Sequence, residues 1–520
     1  MNIHKIHTVN IPCEAEGKLL LHFLRENGYH IAADCGGKGT CSKCRVHVAS
    51  GTFTNADSGK PLAPDADGFV LSCKAVCTKH GAQVEVEISD GGGITNTVFS
   101  AHNAAESAYG TPAKPQFAMA LDIGTTTLAL ALVNTSTRET VAKKSCLNPQ
   151  RSYGADVMSR ITACRNGETK NQQTAILSAV KEMSDALKSE HPDCIADELF
   201  VSGNTTMLHI FSGVSPESMG THPFTPVFTH TRVVDGAELG LDFNRITLLA
   251  SASAFIGADI TAGVFASGMT QHKECTMLID IGTNGEIVLF NSGRIFTASA
   301  AAGPALEGAT LSCGTGGVDG AVNRVFAENG TLKYTTLSNL KPRGICASGV
   351  VDFVAELLRS GRIDSTGCLE NERVHLTGAH VSAEGTVLSA APTGISVTQK
   401  DIREIQLAKA ALSAAIFTVL KTAGLAAADV QRVYLSGGIG SCINVESAVT
   451  VGILPAEFAQ KTVCVGNSAL SGAILATCDN SAIEEIEAIA SRCENVELSQ
   501  SPLFSQRFVE EMEFRYIACK

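Results

Sequence analysis

The sequence lacks tryptophan altogether, and its 520 residues include only six tyrosines. It also lacks an excess of basic residues, since the formal net charge is −12 at pH 7. Proteins that bind nucleic acids usually present a basic face, and those that bind single strands stack bases on aromatic side chains. The composition therefore predicts no nucleic-acid partner.

A long apolar run and a secretory leader are missing as well. No segment reaches the ~18 to 20 apolar residues that span a bilayer, and the start MNIHKIHTVNIPCEAEGKLL has no apolar core of a signal peptide. The 18 cysteines then favour thiols in a reducing compartment, some of them binding metal, over a disulfide framework. We expect a cytoplasmic protein without a membrane segment, divided by its length into about three domains or lobes.

Four cysteines near the amino terminus have the spacing of an iron–sulfur site. Cys35, Cys41 and Cys44 form C-x5-C-x2-C in the stretch ADCGGKGTCSKC, and Cys73 follows at a distance. The plant-type 2Fe–2S pattern is C-x4-C-x2-C with a distant fourth cysteine, so this loop has one extra residue. The glycines permit the tight turns that bring backbone N–H groups towards the sulfurs. The pattern predicts a 2Fe–2S cluster bound by these four cysteines.

A zinc site is the alternative. Cys41 and Cys44 form one pair and Cys73 and Cys77 another, which would suit tetrahedral zinc. This interpretation leaves Cys35 and the glycines unexplained, so the cluster is favoured. Within the cluster interpretation, Cys77 remains an alternative to Cys73 as the fourth ligand.

The segments around the cysteines indicate the fold that holds them. KIHTVNI and QVEVEI alternate as strands do, and LLLHFLRENG reads as a short helix ending at Gly28. This order is typical of a β-grasp ferredoxin, which we assign to residues 1–90. Residues 91–116, rich in Gly, Ser, Ala and Pro, are predicted to be a flexible linker.

A strand–turn–strand motif then occurs twice. FAMALDIGTTTLALALVN carries Asp122, and CTMLIDIGTNGEIVLFNSG carries Asp280 at the matching position. Such an internal repeat indicates two related lobes. No P-loop motif is present. The carboxylates are predicted to organise Mg²⁺ and the turns to bind phosphates, through Gly124, Thr125, Thr126, Gly282, Thr283 and Asn284.

A helix and a glycine pair complete the pattern. VTQKDIREIQLAKAALSAAIFTVLKTAG is predicted to be a helix, with Thr398 and Asp401 as a capping box and Gly424 as its stop. The strand RVYLSGGIGSCIN follows. There Ser436, Gly437 and Gly438 would let a planar adenine approach the backbone.

Two phosphate hairpins followed by a strand and Gly-Gly resemble the actin, sugar-kinase and acetate-kinase (ASKHA) superfamily of ATPases. The resemblance implies two ribonuclease-H-like lobes over residues 117–520, the second from about residue 275, with ATP and Mg²⁺ in the cleft. The expected fold class is thus α+β and α/β. On this resemblance Gln406 and Lys409 would touch the ribose, with a solvated helix face as the alternative. Glu307 in GPALEG would orient the attacking water, with an ordinary turn carboxylate as the alternative.

The fusion of a ferredoxin domain to this ATPase resembles the reductive activators of corrinoid proteins. The strings that carry the resemblance are VSGNTTMLHIFSGV, THPFTP, LIDIGTNGEI, GPALEG, GICASGVVDFVAELL, QKDIREIQLAKAA and GNSALSGA. It implies ATP-dependent transfer of one electron from the cluster to Co(II), regenerating Co(I) on the corrinoid protein of a methyltransferase system. A low-potential electron donor is implied too, and a homodimer is left open. Larger members carry a middle domain, which we expect to be absent because the ATPase begins at Phe117.

Three alternatives stay open at this point. The chain could be a small-molecule kinase of the superfamily with a regulatory cluster, or a redox sensor that does not catalyse a reaction. An activator of radical dehydratases is disfavoured by the ferredoxin domain. Within GNTTMLHIF, Asn204 and His209 are expected to be structural, although His209 could face the corrinoid partner.

Overall fold

The computed structural model describes residues 5–27, 29, 31, 33, 39, 44–88, 116–308, 310–328, 330–382, 385–389, 393–440, 443–479 and 481–514. The predicted ligands Cys35 and Cys41, the predicted helix stop Gly28 and all but the last residue of the predicted linker lie outside these residues.

In the residues that the structure describes, an antiparallel sheet and the α-helix α1 form the amino-terminal domain. The sheet order is β1-β5-β2-β3, with β4 paired to β2. Val9, Val46, Phe53 and Val84 fill its core with the apolar face of the helix. The predicted strands and helix are confirmed, and β2 is a long strand that the sequence did not indicate. The elements are β1 (Lys5–Ile11), α1 (Leu20–Glu26), β2 (Arg45–Asn55), β3 (Pro61–Leu62), β4 (Phe69–Leu71) and β5 (Ala75–Ile88).

The first lobe is built on a six-stranded sheet. Its order is β10-β11-β9-β6-β7-β8, in which β6, β7 and β8 are antiparallel and β9 and β11 run parallel to β6. Its elements are β6 (Phe117–Ile123), β7 (Thr127–Asn134), β8 (Glu139–Leu147), α2 (Val157–Ala163), α3 (Thr169–Glu190), β9 (Ala196–Gly203), α4 (Thr205–Phe211), β10 (Arg232–Val234), β11 (Arg245–Leu248) and α5 (Ala258–Ser267).

The second lobe repeats this arrangement in a sheet of order β23-β22-β12-β13-β14-β24. A five-stranded sheet, β17-β15-β16-β19-β20, and a pair, β18-β21, are added to it. The strands are β12 (Thr276–Ile281), β13 (Gly285–Asn291), β14 (Arg294–Ala300), β15 (Ala321–Glu328), β16 (Thr331–Thr336), β17 (Gly344–Ile345), β18 (Arg373–His375), β19 (Ala379–Val381), β20 (Val387–Ser389), β21 (Ser396–Thr398), β22 (Arg432–Ser436), β23 (Thr462–Gly466) and β24 (Cys493–Asn495).

Seven helices accompany these strands in the described part of the chain: α6 (Ala347–Arg359), α7 (Gln399–Thr422), α8 (Gly437–Gly440), α9 (Val445–Val451), α10 (Ser468–Cys478), α11 (Ala482–Arg492) and α12 (Pro502–Glu510). Leu470, Ile474 and Ile486 of α10 and α11 are buried in the core of the first lobe. The carboxyl-terminal part of the chain therefore returns to the first lobe. The two matching sheets confirm the expected pair of ribonuclease-H-like lobes.

Helix α7 behaves as its sequence predicts. The side chain of Thr398 accepts from the Asp401 N–H, and the Asp401 carboxylate accepts from the Thr398 N–H, which makes the predicted capping box. Gly424 follows the helix with φ of +73°. Among the described residues α7 alone is long and apolar enough to cross a membrane, but 72% of its most apolar window is buried inside the protein, as in a core helix.

His209 is a structural residue that fixes the THPFTPVF segment to α4. Its Nδ1–H donates to the carbonyl of Thr205 at 2.8 Å, and its Nε2 accepts from the N–H groups of Val227 and Phe228 at 3.1 and 3.4 Å. The ring also stacks on Phe228, with 4.2 Å between the centroids. Burial lowers the pKa of His209 to about 4. These contacts support the structural role that the sequence predicts for His209.

We expect acid to detach this segment. The folded protein holds His209 neutral, so the contribution of this residue to stability is fully present above its ordinary pKa and is lost as the pH falls through about 4. Amide exchange at residues 221–228, corrected for intrinsic rates, should rise by about tenfold or more between pH 6.5 and 4, since one pKa unit corresponds to a factor of ten. His209→Gln should remove this rise and His230→Gln, its exposed neighbour, should keep it; a rise that survives His209→Gln would contradict the assignment.

Candidate active site: a thiol pair and a two-lobed nucleotide cleft

Two of the four predicted cluster ligands lie in the described residues, and the fold brings them together. Cys44 precedes β2 and Cys73 lies between β4 and β5, and both are buried against Leu21 and Ala33. A hydrogen bond between the two thiols is the largest cause that lowers the pKa of Cys44, to about 6. Thiolates are the ligands of iron–sulfur clusters, so a paired, readily ionised thiol fits that chemistry.

Cys77 lies elsewhere. It is paired with Phe53 across β5 and β2 and is packed in the core of the ferredoxin sheet, whereas Cys44 and Cys73 share a separate cluster of buried residues. Burial raises the pKa of the Cys77 thiol to about 11. This placement disfavours both the two-pair zinc site and the exchange of Cys77 for Cys73.

The two phosphate turns occupy matching places in the two sheets but differ in length. Ile123 pairs with Leu128 across the first turn, and Ile281 pairs with Gly285 across the second, so the second turn is one residue shorter. Gly124 is required in the first turn because a Cβ there would stand 2.6 Å from the carbonyl oxygen of Thr127. The repeat in sequence is therefore not an exact repeat in geometry.

Glu307 joins the two turns. It lies in the 3₁₀ helix Pro304–Glu307. Its Oε2 accepts from the hydroxyl of Thr126 at 2.7 Å, and its Oε1 accepts from the hydroxyl of Thr283 at 2.9 Å. The hydroxyl comes from the third residue of the first turn and from the second residue of the second turn. Thr126, Thr283 and Glu307 are thus brought together as a group between the lobes.

Each repeated aspartate is held by a side chain from the carboxyl-terminal part of the chain. Asn467 donates from Nδ2 to Asp122 at 2.7 Å, and the Ser436 hydroxyl donates to Asp280 at 2.7 Å. Ser436 also lies 2.6 Å from the hydroxyl of Ser468. The start of α10, within the string GNSALSGA, therefore fixes both carboxylates.

Four acidic residues crowd this region. Burial, and to a smaller degree the charge of Asp280, raises the pKa of Asp122 to about 7. Burial and the charges of Asp280 and Asp122 raise the pKa of Asp259 to about 8. Glu286 also has a raised pKa, through burial and the charges of Asp259 and Asp280. The sequence did not indicate that Asp259, the second residue of α5, or Glu286, the second residue of β13, belongs to the site.

Mg²⁺ with ATP fits this site. Burial raises the pKa of these carboxyl groups, and neighbouring carboxylates raise those of Asp122, Asp259 and Glu286 further. A divalent cation would neutralise such a group of carboxylates. No three His, Cys, Asp or Glu side chains among the described residues converge closely enough to hold a metal ion by themselves. Mg²⁺ usually takes one or two carboxylates and completes its shell with water and phosphate oxygens. Asp122 and Asp280 remain the predicted carboxylates, and Gly282 and Asn284 flank Thr283 in the second turn.

Asn148 and Arg160, which the sequence did not indicate, hold the first turn through hydrogen bonds to its backbone carbonyls. Asn148 donates to the carbonyl of Gly124 at 2.8 Å and its N–H donates to the carbonyl of Thr126. The guanidinium of Arg160, which is fully buried, donates to the carbonyls of Thr125 and Gly154. Single polar residues far from the motif carry no signal in one sequence, which is why they were missed.

The glycine pair after β22 has two separate roles. Gly437 has φ of +92°, and a Cβ on it would stand 2.5 Å from the Asp280 carboxylate, so it allows a close approach to the second aspartate. A Cβ on Gly438 would meet nothing within 4 Å. Open space at Gly438 is compatible with the predicted approach of adenine, which stays a prediction.

The carboxyl-terminal segment covers Gln406 and Lys409 in this structure, contrary to the expected ribose contact. Both side chains are buried, and they donate to the carbonyls of Met512 and Glu513 at 2.6 Å. The solvated helix face is wrong for the same reason. The carboxyl-terminal segment covers this side of α7 and supplies backbone acceptors that a local reading of the sequence could not reveal.

Fold and site together define an iron–sulfur protein with an ATPase of the ASKHA type: a β-grasp domain with paired thiols, and two ribonuclease-H-like lobes with an aspartate-bearing turn each. The family models agree. Residues 3–78 match a 2Fe–2S iron–sulfur cluster binding domain, residues 117–272 the RACo middle region, and residues 274–518 the C-terminal domain of RACo, the ASKHA domain. The chain belongs to the RACo family, and it binds a 2Fe–2S cluster and ATP.

Individual relatives point the same way. The chain is 30% identical over 428 residues to "Corrinoid activation enzyme RamQ" of Eubacterium limosum, covering 77% of this chain and 71% of the relative. It is 25% identical over 435 residues to "[Co(II) methylated amine-specific corrinoid protein] reductase" of Methanosarcina barkeri, covering 76% and 77%. Among solved structures it resembles "Reductive activator for corrinoid,iron-sulfur protein", with a TM-score of 0.70, 27% identity and coverage of 98% and 97%.

One expectation is corrected by these matches. We expected the middle domain of the family to be absent, yet the model described as the RACo middle region matches residues 117–272. In this chain that segment forms the sheet and helices of the first lobe. The sequence of the first phosphate hairpin led us to assign the whole segment to the ATPase, and the family description divides it differently.

Removing a ligand should abolish the cluster. Cys73→Ser should cost the anaerobically purified protein its iron, its sulfide and its visible absorption, because hydroxyl oxygen is a poor ligand for the cluster. Cys77→Ser is the matched control, four residues away and equally buried, and should keep all three. Loss of the cluster in Cys77→Ser with retention in Cys73→Ser would overturn the assignment.

Glu307 should matter more for hydrolysis than for binding. Glu307→Gln keeps the size of the side chain but removes the charge that holds two hydroxyls, so we expect kcat for ATP hydrolysis to fall by about 10²-fold or more, the range for a group that positions or deprotonates a nucleophile. The Kd for Mg·ATP, measured by calorimetry, should change less. Glu139→Gln, an exposed carboxylate on β8, is the control. Unchanged kcat in Glu307→Gln would contradict the role.

Proposed function

We propose that this chain reduces the Co(II) of a protein-bound corrinoid to Co(I), one electron at a time, in a reaction driven by ATP. The observation that carries the proposal is the presence, in one chain, of a buried thiol pair in a ferredoxin domain and of two phosphate turns joined by one carboxylate. The printed names of the relatives in Eubacterium limosum and Methanosarcina barkeri, an activation enzyme and a Co(II) corrinoid protein reductase, support the choice of substrate.

The electron balance needs a donor outside the chain. A low-potential donor, which we keep as a prediction, supplies one electron, and the corrinoid Co(II) accepts it to become Co(I). When bound, the 2Fe–2S cluster supplies one-electron storage between the two. Cys44 and Cys73, with Cys35 and Cys41 as the predicted remaining ligands, fix its place beside α1.

ATP is needed because the transfer of an electron to Co(II) is uphill in free energy from most donors. For one electron, each ~59 mV uphill costs about 1.4 kcal/mol. A ferredoxin domain alone passes electrons only at its own potential. A two-lobed ATPase can hold the corrinoid partner in a state that accepts the electron, provided that the nucleotide binds one lobe arrangement better than another.

The residues of the cleft then have distinct parts. Asp122 and Asp280 orient Mg²⁺, with Asn467 and Ser436 fixing their carboxylates. The backbone N–H groups and hydroxyls of the two turns bind phosphates. Glu307 already lies between both turns, and after a triphosphate separates it from the two hydroxyls it can accept a proton from the attacking water.

Two further predictions accompany the proposal. We expect the protein in the cytoplasm, because its cysteines suit a reducing compartment. We also keep a homodimer as a prediction, on the resemblance to the family alone.

The test is an anaerobic mixture of the purified protein, a low-potential reductant and a Co(II) corrinoid protein. The Co(I) absorption should grow with ATP and Mg²⁺ and should stay at background without them. Asp280→Asn should keep the cluster spectrum and lose the ATP-dependent signal. A Co(I) signal indifferent to nucleotide would remove the proposed coupling. ATP turnover that depends on a sugar or carboxylate instead would favour the kinase, and absence of nucleotide binding would favour the redox sensor.

A further inference from the structure

Within the part of the chain that the structure describes, a side chain of α1 brings the ferredoxin domain into contact with the first lobe. The guanidinium carbon of Arg25 lies 4.4 Å from the ring centroid of Tyr153, a residue that is only 7% exposed. A cation over a tyrosine face is attracted by the ring. Glu168, also of the first lobe, adds attraction to the same charge. Arg25 and Tyr153 thus form a contact between the two domains, which we name the docking contact.

One turn before Arg25, helix α1 also contacts two of the predicted cluster ligands. Leu21, four residues before Arg25 and so on the same side of α1, packs against Cys44 and Cys73. Its N–H donates to the carbonyl of Ser72 at 3.0 Å. The positive charge of Arg25 also acts on the thiols of Cys44 and Cys73. A movement of this side chain away from Tyr153 therefore changes the electrostatic surroundings of the ligand cysteines as well as the docking contact.

On the other side of the docking contact, the chain leads to the first phosphate turn. Tyr153 directly follows the 3₁₀ helix Pro149–Ser152, which Asn148 caps. Asn148 holds the carbonyls of Gly124 and Thr126. Arg160 bridges the carbonyls of Thr125 and Gly154, and Gly154 is the residue after Tyr153. Both ends of the segment 148–160 are therefore bonded to the turn, with Tyr153 between them.

We propose that the segment 148–160 links nucleotide occupancy of the first phosphate turn to the docking of the ferredoxin domain on Tyr153. The proposal rests on the nucleotide site of the proposed function. The link requires one movement, a shift of the first phosphate turn. The hydrogen bonds of Asn148 and Arg160 would transmit this shift to the Tyr153 ring. By linkage, a nucleotide that changes docking must bind the oxidised and the reduced protein with different affinities, because docking changes the environment of the ligand cysteines.

The test uses the full-length holoprotein and two equilibrium measurements. Calorimetry gives the Kd for Mg²⁺ with a non-hydrolysable ATP analogue in the oxidised and in the reduced protein. A redox titration followed by electron paramagnetic resonance gives the midpoint potential with and without the same analogue. We expect the two Kd values to differ at least threefold. The potential should shift in proportion, about 59 mV for a tenfold ratio of one-electron states.

Four variants separate the docking contact from general effects. Arg25→Gln removes the cation and Tyr153→Leu removes the ring, and both should bring the ratio of the Kd values to about one. Tyr153→Phe keeps the ring and should keep the ratio. Lys18→Gln removes another cation of the same domain, an exposed one paired with Glu26, and should keep the ratio too. A ratio of one in the unaltered protein, or a ratio that survives both Arg25→Gln and Tyr153→Leu, would overturn the proposal.

A measurement on the unaltered protein covers the case in which a variant fails to take up its cluster. Hydrogen exchange of peptides spanning Leu20–Glu26 and Val157–Ala163 should change together, and in the same direction, when the analogue binds; no change in the first peptide would overturn the proposal. The outcome is separable from that of the proposed function. Loss of the linkage with ATP-dependent Co(I) formation intact defeats only this inference, and the reverse result defeats only the proposed function.

Discussion

The carboxylate of Glu307 between the hydroxyls of Thr126 and Thr283 is the interaction on which the rest of the site depends. It is the place where the sheets of the two lobes present their phosphate turns to one acceptor. We propose that a triphosphate entering between the turns replaces these two hydrogen bonds, so that its binding depends on the relative position of the two lobes.

Residues outside the two hairpins hold the two phosphate turns in position. Each turn is fixed from outside its own hairpin: Asn148 and Arg160 hold the first, while Ser436 and Gly437 lie against the aspartate that begins the second. Asn467, the residue that caps the start of α10, donates a hydrogen bond to Asp122. Burial and neighbouring carboxylates raise the pKa of Asp122 and Asp259. We therefore propose that a metal ion binds here together with the nucleotide.

Much of this could be predicted from the sequence because it depends on local pattern. The repeated Asp-Ile-Gly-Thr marks both turns, and the cysteine spacing marks the cluster loop. The capping box marks the start of α7. What could not be predicted depends on contacts between distant segments. The one-residue difference between the turns becomes visible only in the strand pairing, and the hydrogen bond of Thr126, rather than Thr125, to Glu307 becomes visible only in the fold. The carboxyl-terminal segment buries Gln406 and Lys409, which a helix wheel places on a surface that ligands could reach.

The most direct test of this account is hydrogen exchange at the two turns in the unaltered protein, with and without Mg²⁺ and a non-hydrolysable ATP analogue. The account predicts that peptides spanning residues 122–128 and 280–286 gain protection together and over the same range of nucleotide concentration. Protection of one turn alone, or of the two turns with different midpoints, would show that they do not close on one triphosphate and would contradict it.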